Sequence, residues 1–143
     1  MPASDIEAVT AANTALYDAF EAADIDLMGA VWLEGDDVVC VHPGWAPVHG
    51  RGAVLRSWSM IMANTAYIQF VLTDVQVRVT GDVAVVTCGE NILTGVPGTT
   101  TDPALGFAGG KAVATNVFRR TPTGWRLLVH HASPVLSTED GSE

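Results

Sequence analysis

Residues 40–58 read Cys40-Val41-His42-Pro43-Gly44-Trp45-Ala46-Pro47-Val48-His49-Gly50-Arg51-Gly52-Ala53-Val54-Leu55-Arg56-Ser57-Trp58. A short apolar strand, opening near Val38, runs into His42 and is stopped by Pro43 and Gly44, because proline donates no ladder hydrogen bond. A turn-rich segment holding Trp45 and His49 follows, and a helix begins at about Arg51. Two histidines and two tryptophans therefore stand where a strand hands over to a helix, which suits the wall of a pocket.

Upstream, Ser4 and Glu7 have capping-box spacing. Ile6, Val9, Asn13, Leu16, Tyr17 and Phe20 then recur at helical intervals, predicting a helix over about 4–22. Asp24 is placed to cap a shorter helix over about 25–33, whose face carries Leu27, Met28, Val31 and Trp32. A strand is expected at about 37–42. Downstream, Val54, Leu55, Trp58, Ile61 and Met62 form the apolar stripe of a third helix, about 51–64.

The remainder reads as strands. Residues 67–79 and 83–93 are two long runs joined by the tight turn Thr80-Gly81-Asp82. Residues 111–120 and 125–132 form a closing hairpin about Thr121-Pro122-Thr123-Gly124. Between the pairs, residues 95–110 are rich in glycine, proline and threonine and predict a loop, with Leu105 and Phe107 as apolar anchors should it act as a lid. The chain is expected to be one domain over residues 1–136, with a flexible acidic tail over 137–143.

In the closing hairpin, a four-residue loop places Phe118 opposite Leu127, Asn116 opposite Val129 and Ala114 opposite His131. That register sends His131 to the inner face and its neighbour His130 outward. Both faces of the hairpin are apolar, so both are expected to be covered, one by helices and the other by a second copy of the chain. A homodimer packed sheet to sheet is the expectation.

Composition excludes several classes. With 7 basic and 16 acidic residues among 143, the net charge of −9 argues against nucleic acid as a partner. No apolar run reaches the ~20 residues of a membrane span, and the first residues lack a signal peptide's pattern. The reading is a cytoplasmic protein with Cys40 and Cys88 as buried thiols. His42, His49, His131 and Glu90 show no diagnostic ligand spacing, so no metal is expected, and no cofactor motif appears.

Three helices followed by long strands, with His42-Pro43 after strand one, Gly50-Arg51 opening the third helix, and Gly124-Trp125-Arg126-Leu127-Leu128-Val129-His130-His131-Ala132-Ser133 closing the chain, resemble the nuclear-transport-factor-2-like superfamily. The likeness is to its SnoaL-like members and covers about residues 4–134. It implies an α+β cone, in which a strongly bent antiparallel sheet wraps the N-terminal helix around a deep pocket, and it implies dimers.

In steroid isomerase relatives the base is an aspartate before proline at the end of strand one, and His42 stands at the matching place. Their oxyanion donors match the neighbourhood of Leu16 and Tyr17 on helix one and Asn116 on the penultimate strand. The resemblance thus implies His42 as base with Asn116 steadying an oxyanion, and the hairpin register offers His131 as an alternative to Asn116 or as a proton shuttle. Tyr17, Trp32, Trp45, Trp58, Met62, Glu90 and Phe118 are the candidate pocket wall. Glu90 and Asn91 lie on opposite faces of one strand, and a buried Glu90 near a histidine would make an acid–base pair. The expected function is binding of a small hydrophobic molecule, with cofactor-free isomerisation, cyclisation or hydration if the protein is an enzyme. The alternative is a non-catalytic ligand-binding or dimerisation domain.

Overall fold

The computed structural model describes residues 2–95 and 107–136. The expected tail over 137–143, and Leu105 with most of the glycine-rich segment, lie outside the described residues.

Helix α1 spans Pro2–Glu21, α2 Ile25–Val31 and α3 Arg51–Ala63. The strands are β1 Val39–Val41, β2 Val48–His49, β3 Ile68–Thr80, β4 Val83–Gly95, β5 Phe107–Thr121 and β6 Gly124–Pro134. They form one sheet in the order β2-β1-β6-β5-β4-β3. All neighbours are antiparallel except β1 and β6, which run parallel. The architecture is the expected α+β arrangement of three helices against a curled sheet.

Local chemistry sets the boundaries. Asp24 Oδ1 accepts from the backbone amides of Asp26 and Leu27, both at 3.0 Å, and so starts α2. Pro2 opens α1 two residues ahead of Ser4, so Ser4 lies inside the helix rather than at its cap. Gly50 sits at the N-cap of α3 with φ +88°, a conformation costly for a residue with a Cβ. The next side chain, Arg51, donates to the carbonyls of Gly29 at 2.8 Å and Trp32 at 2.9 Å, closing the C-terminal end of α2. The Gly50-Arg51 pair thus joins two helices. Strand β2 escaped the sequence reading because it is only two residues long.

Two bulges shape the sheet. Between Thr73 and Gln76, β3 carries an extra residue, and Asp74 adopts φ +51° there. In β6 the ladder steps from Phe118↔Leu127 to Val117↔Val129, leaving Leu128 unmatched. The expected register therefore holds only as far as Leu127. Beyond it Asn116 faces His130 rather than Val129, Thr115 faces His131, and Ala114 faces Ala132. One inserted residue reverses the two histidines: His130 is buried and His131 is exposed.

Strand β5 begins at Phe107, so residues 107–110 belong to the sheet and not to the expected loop, Gly95 pairing with Phe107. The core fills the inner face of the sheet under α1, with Val9, Leu16, Trp32, Val54, Phe118 and Leu127 among its buried side chains. Arg120 pins the start of α1 to the strand ends. It bonds both carboxylate oxygens of Asp5, at 2.9 and 3.0 Å, and lies over the Trp125 ring at 4.5 Å.

Candidate functional site

A cavity of about 320 Å³ opens between α1, α3 and the inner face of the sheet. Helix α1 contributes Leu16, Tyr17 and Phe20, and the end of β1 contributes His42, Pro43 and Trp45. Trp58 and Ile61 come from α3, and Phe70, Glu90 and His130 come from the sheet. Aromatic edges lock the apolar part: Phe20 lies 5.1 Å from Trp58 and 5.4 Å from Phe70, and Tyr17 lies 5.0 Å from Phe70. Trp45, 38% exposed, stands at the rim with its ring 4.9 Å from His42.

The polar groups are few and ordered. His130 Nδ1 lies 2.6 Å from Asn116 Oδ1. Asn116 Nδ2 donates to Asn13 Oδ1 at 2.8 Å and to the Tyr17 hydroxyl at 3.3 Å. Tyr17 in turn donates to Glu90 Oε2 at 2.5 Å. Since the Asn116 oxygen can only accept, His130 carries its proton on Nδ1 and keeps a lone pair on Nε2. The donors therefore run in one direction, from His130 through Asn116 and Tyr17 to Glu90.

His42 is held separately. Ser57 Oγ donates to the Val54 carbonyl at 2.6 Å and lies 2.9 Å from His42 Nε2. With its hydrogen so engaged, Ser57 accepts from His42 Nε2–H, and Nδ1 is left as the basic nitrogen. Trp58 stands between the imidazoles, 4.7 Å from His42 and 5.7 Å from His130.

Burial sets the charge states. It depresses the pKa of His42 to about 4, and that of His130 to about 3 with help from the neighbouring imidazoles of His42 and His131. It raises Glu90 above the usual carboxylate range, with the Tyr17 hydrogen bond opposing. Burial and the Glu90 charge raise Tyr17. At neutral pH the imidazoles are uncharged bases, and the carboxyl is pushed toward its acid form.

The sequence-derived candidates divide as follows. His42, Tyr17, Trp45, Trp58 and Glu90 line the cavity. Glu90 is the inward member of its pair, while Asn91 Nδ2 bonds the Val71 carbonyl and Thr73 Oγ1 on the other face. Asn116 is wholly buried one layer behind the surface of the hollow. Trp32 and Phe118 are core rather than wall, Trp32 being bridged to Leu127. Met62 is buried beside the wall and does not line it.

His131 is corrected to the outer, exposed face by the Leu128 bulge. The residue missed in its place is His130. Asn13 was read only as part of a stripe, although a polar residue at a buried helical position was the signal to follow. Among the described residues no group of three His, Cys, Asp or Glu is placed to hold a metal ion, and no helix is long and apolar enough to cross a membrane.

Comparisons with known proteins agree with this fold. The model of the SnoaL-like domain matches residues 9–137. A candidate dehydratase of the NTF2-like family from Streptomyces avermitilis is 52% identical and superposes with a TM-score of 0.87, covering 96% of this chain and 100% of that one. A candidate calcium/calmodulin-dependent protein kinase type II association domain from Thiobacillus denitrificans is 35% identical with a TM-score of 0.74, over 89% of this chain and 94% of that one. The F-box protein SKIP8 of Arabidopsis thaliana is 26% identical over 129 residues, 90% of this chain; the chain spans about half the length of that relative, 50% of it being covered. The chain belongs to the SnoaL-like family, within the NTF2-like superfamily.

Proposed function

We propose that the protein is a cofactor-independent acid–base catalyst acting on a small, uncharged, hydrophobic organic molecule, and that elimination of water is the reaction its site suits best. The observation that carries this reading is the one-way hydrogen-bond chain ending in an imidazole acceptor at His130 and a buried carboxyl at Glu90. The two ends supply a base and an acid in one apolar hollow.

In the forward direction His130 Nε2 takes a proton from a carbon beside a carbonyl. The electron pair of that C–H bond forms the new double bond, the C–O bond of a β-hydroxyl breaks, and Glu90 gives its proton to the departing oxygen. Water leaves, and the proton on His130 returns to Glu90 through solvent. An imidazole of such low pKa is a weak base, so abstraction has to be coupled to protonation of the leaving group. His42, the base expected from the sequence, is oriented by Ser57 and supplies a second neutral acceptor. The 52% identity to a candidate dehydratase supports the same reaction class.

The test is turnover of a panel of neutral β-hydroxy ketones, followed by absorbance of the conjugated product. Loss of about a hundredfold or more in kcat/KM in both His130→Gln and Glu90→Gln, with melting temperatures retained, is the expected result. Turnover unchanged in both variants would overturn the assignment.

A second reading, a non-catalytic ligand-binding or association module, draws support from the 35% identity to the Thiobacillus denitrificans domain. We further propose that the chain forms a homodimer through the outer face of the sheet. That face exposes Val71 (59%) and Val113 (50%), more apolar surface than a solvated strand needs.

A further inference from the structure

We propose that Asn13 is a positioning residue that sets the tautomer of His130, acting through the Asn116 side-chain amide. The amide of Asn116 can be inserted between its neighbours in two ways. With Nδ2 toward α1, it donates to Asn13 Oδ1 and Tyr17 and offers Oδ1 to His130 Nδ1, as observed. Turned over, it would accept from α1 and donate to His130 Nδ1, forcing the imidazole proton onto Nε2. The hollow would then face a hydrogen-bond donor at His130 instead of an acceptor.

Tyr17 favours the first insertion, since its one hydrogen goes to Glu90 and it can only accept from Asn116, but that contact is long, 3.3 Å against 2.8 Å for Asn13. Asn13 is therefore the stronger of the two acceptors. Burial raises the Cys88 thiol's pKa, and side-chain hydrogen bonds with Tyr17 and Asn13 oppose that rise. With Oδ1 taken by Asn116 at 2.8 Å, Nδ2 is the Asn13 group left to face the Cys88 sulfur, which suits a donor. Asn13 is 1% exposed and stands one helical turn before Tyr17, so α1 presents both groups to the same amide. Neutral imidazole in water favours the Nε2–H form; the Nδ1–H form here therefore needs a cause, and this arrangement supplies one.

The inference rests on the acid–base reading only for its consequence, the lone pair offered to substrate. Its test needs no substrate. Long-range proton–nitrogen correlation on the full 15N-labelled chain at neutral pH reads which ring nitrogen of His130 is protonated, with His130→Gln fixing the assignment. In the wild type Nδ1 is expected to be the protonated nitrogen. In Asn13→Leu the ratio of Nδ1–H to Nε2–H is expected to fall about tenfold, the bias one net hydrogen bond imposes. Asn13→Asp, which keeps an acceptor facing Asn116, should restore it. Asn13→Ala serves in place of Asn13→Leu if the larger side chain prevents folding.

A wild-type His130 protonated on Nε2, or a tautomer ratio unmoved by removing the Asn13 oxygen, would overturn the proposal. Absence of turnover on every β-hydroxy ketone would instead count against the dehydration reading and leave the tautomer result standing.

Discussion

The Tyr17 hydroxyl and Glu90 Oε2 lie 2.5 Å apart, joining the first helix to the middle of the fourth strand across the base of the hollow. That bond opposes the burial that raises the Glu90 pKa. Tyr17→Phe should therefore move the pKa of Glu90 further upward, as followed by carbon NMR of its carboxyl. It should also cost about 1–3 kcal/mol in stability, because a buried acceptor loses its donor. A Glu90 pKa that falls in the variant would contradict this account.

Acid should destabilise the fold through its two buried imidazoles. Their folded-state pKa values, about 4 for His42 and about 3 for His130, lie below the ordinary value of 6.5. Between these limits the unfolded chain binds protons that the native state refuses, so stability falls as pH drops from about 6.5 toward 4. His42 alone accounts for on the order of 3 kcal/mol across its window. Glu90, shifted the other way, contributes stability in acid that is lost as pH rises through its elevated pKa, and it partly masks the trend. Denaturant titrations at pH 7 and pH 4 should show a smaller difference in His42→Gln than in the wild type.

The histidine doublet should behave asymmetrically. His130→Ala leaves the Asn116 oxygen unpartnered in the interior and is expected to cost about 2–4 kcal/mol. His131→Ala removes an exposed side chain and should change stability by no more than about 0.5 kcal/mol. Equal losses, measured by chemical denaturation, would show that the Leu128 bulge is misplaced.

At the α2–α3 junction, Gly50→Ala forces a Cβ onto a residue with φ +88° and should cost about 1–2 kcal/mol. Arg51→Ala strips the donors from the Gly29 and Trp32 carbonyls. Its cost should be larger and should appear first as faster amide exchange in α2.

The homodimer proposal predicts a mass twice that of the chain at micromolar concentration. Val71→Glu together with Val113→Glu should shift it to the monomer while leaving the cavity untouched, since both residues lie on the opposite face of the sheet. A wild type already monomeric by light scattering would end the proposal.

Much of the fold was legible because its signals are local and repetitive. The stripe on α3, the Asp24 cap and the Gly81 turn (φ +60°) each follow from a few neighbouring residues. The site was harder to read because it depends on register between distant strands. Leu128 is apolar and fits either face, so nothing in its identity announces that it is the unmatched residue, and the error it introduces falls on the His130-His131 pair. Glu90 and Asn91 posed the same problem, settled here by Thr73 and the Val71 carbonyl on the outer face. Glycines at 109 and 110 hid the first turns of β5, pairing there with Leu93 and Ile92 without side chains to advertise a strand.

The uncharged lining of the hollow has a consequence for which molecules reach it. The protein carries a net charge of −9, so carboxylates and phosphates are repelled before contact. Any that arrive meet two neutral imidazoles and a carboxyl whose pKa burial raises, none of which balances an anion. Under the proposed function, surface and interior would act in series as a filter against anionic metabolites, favouring neutral ones.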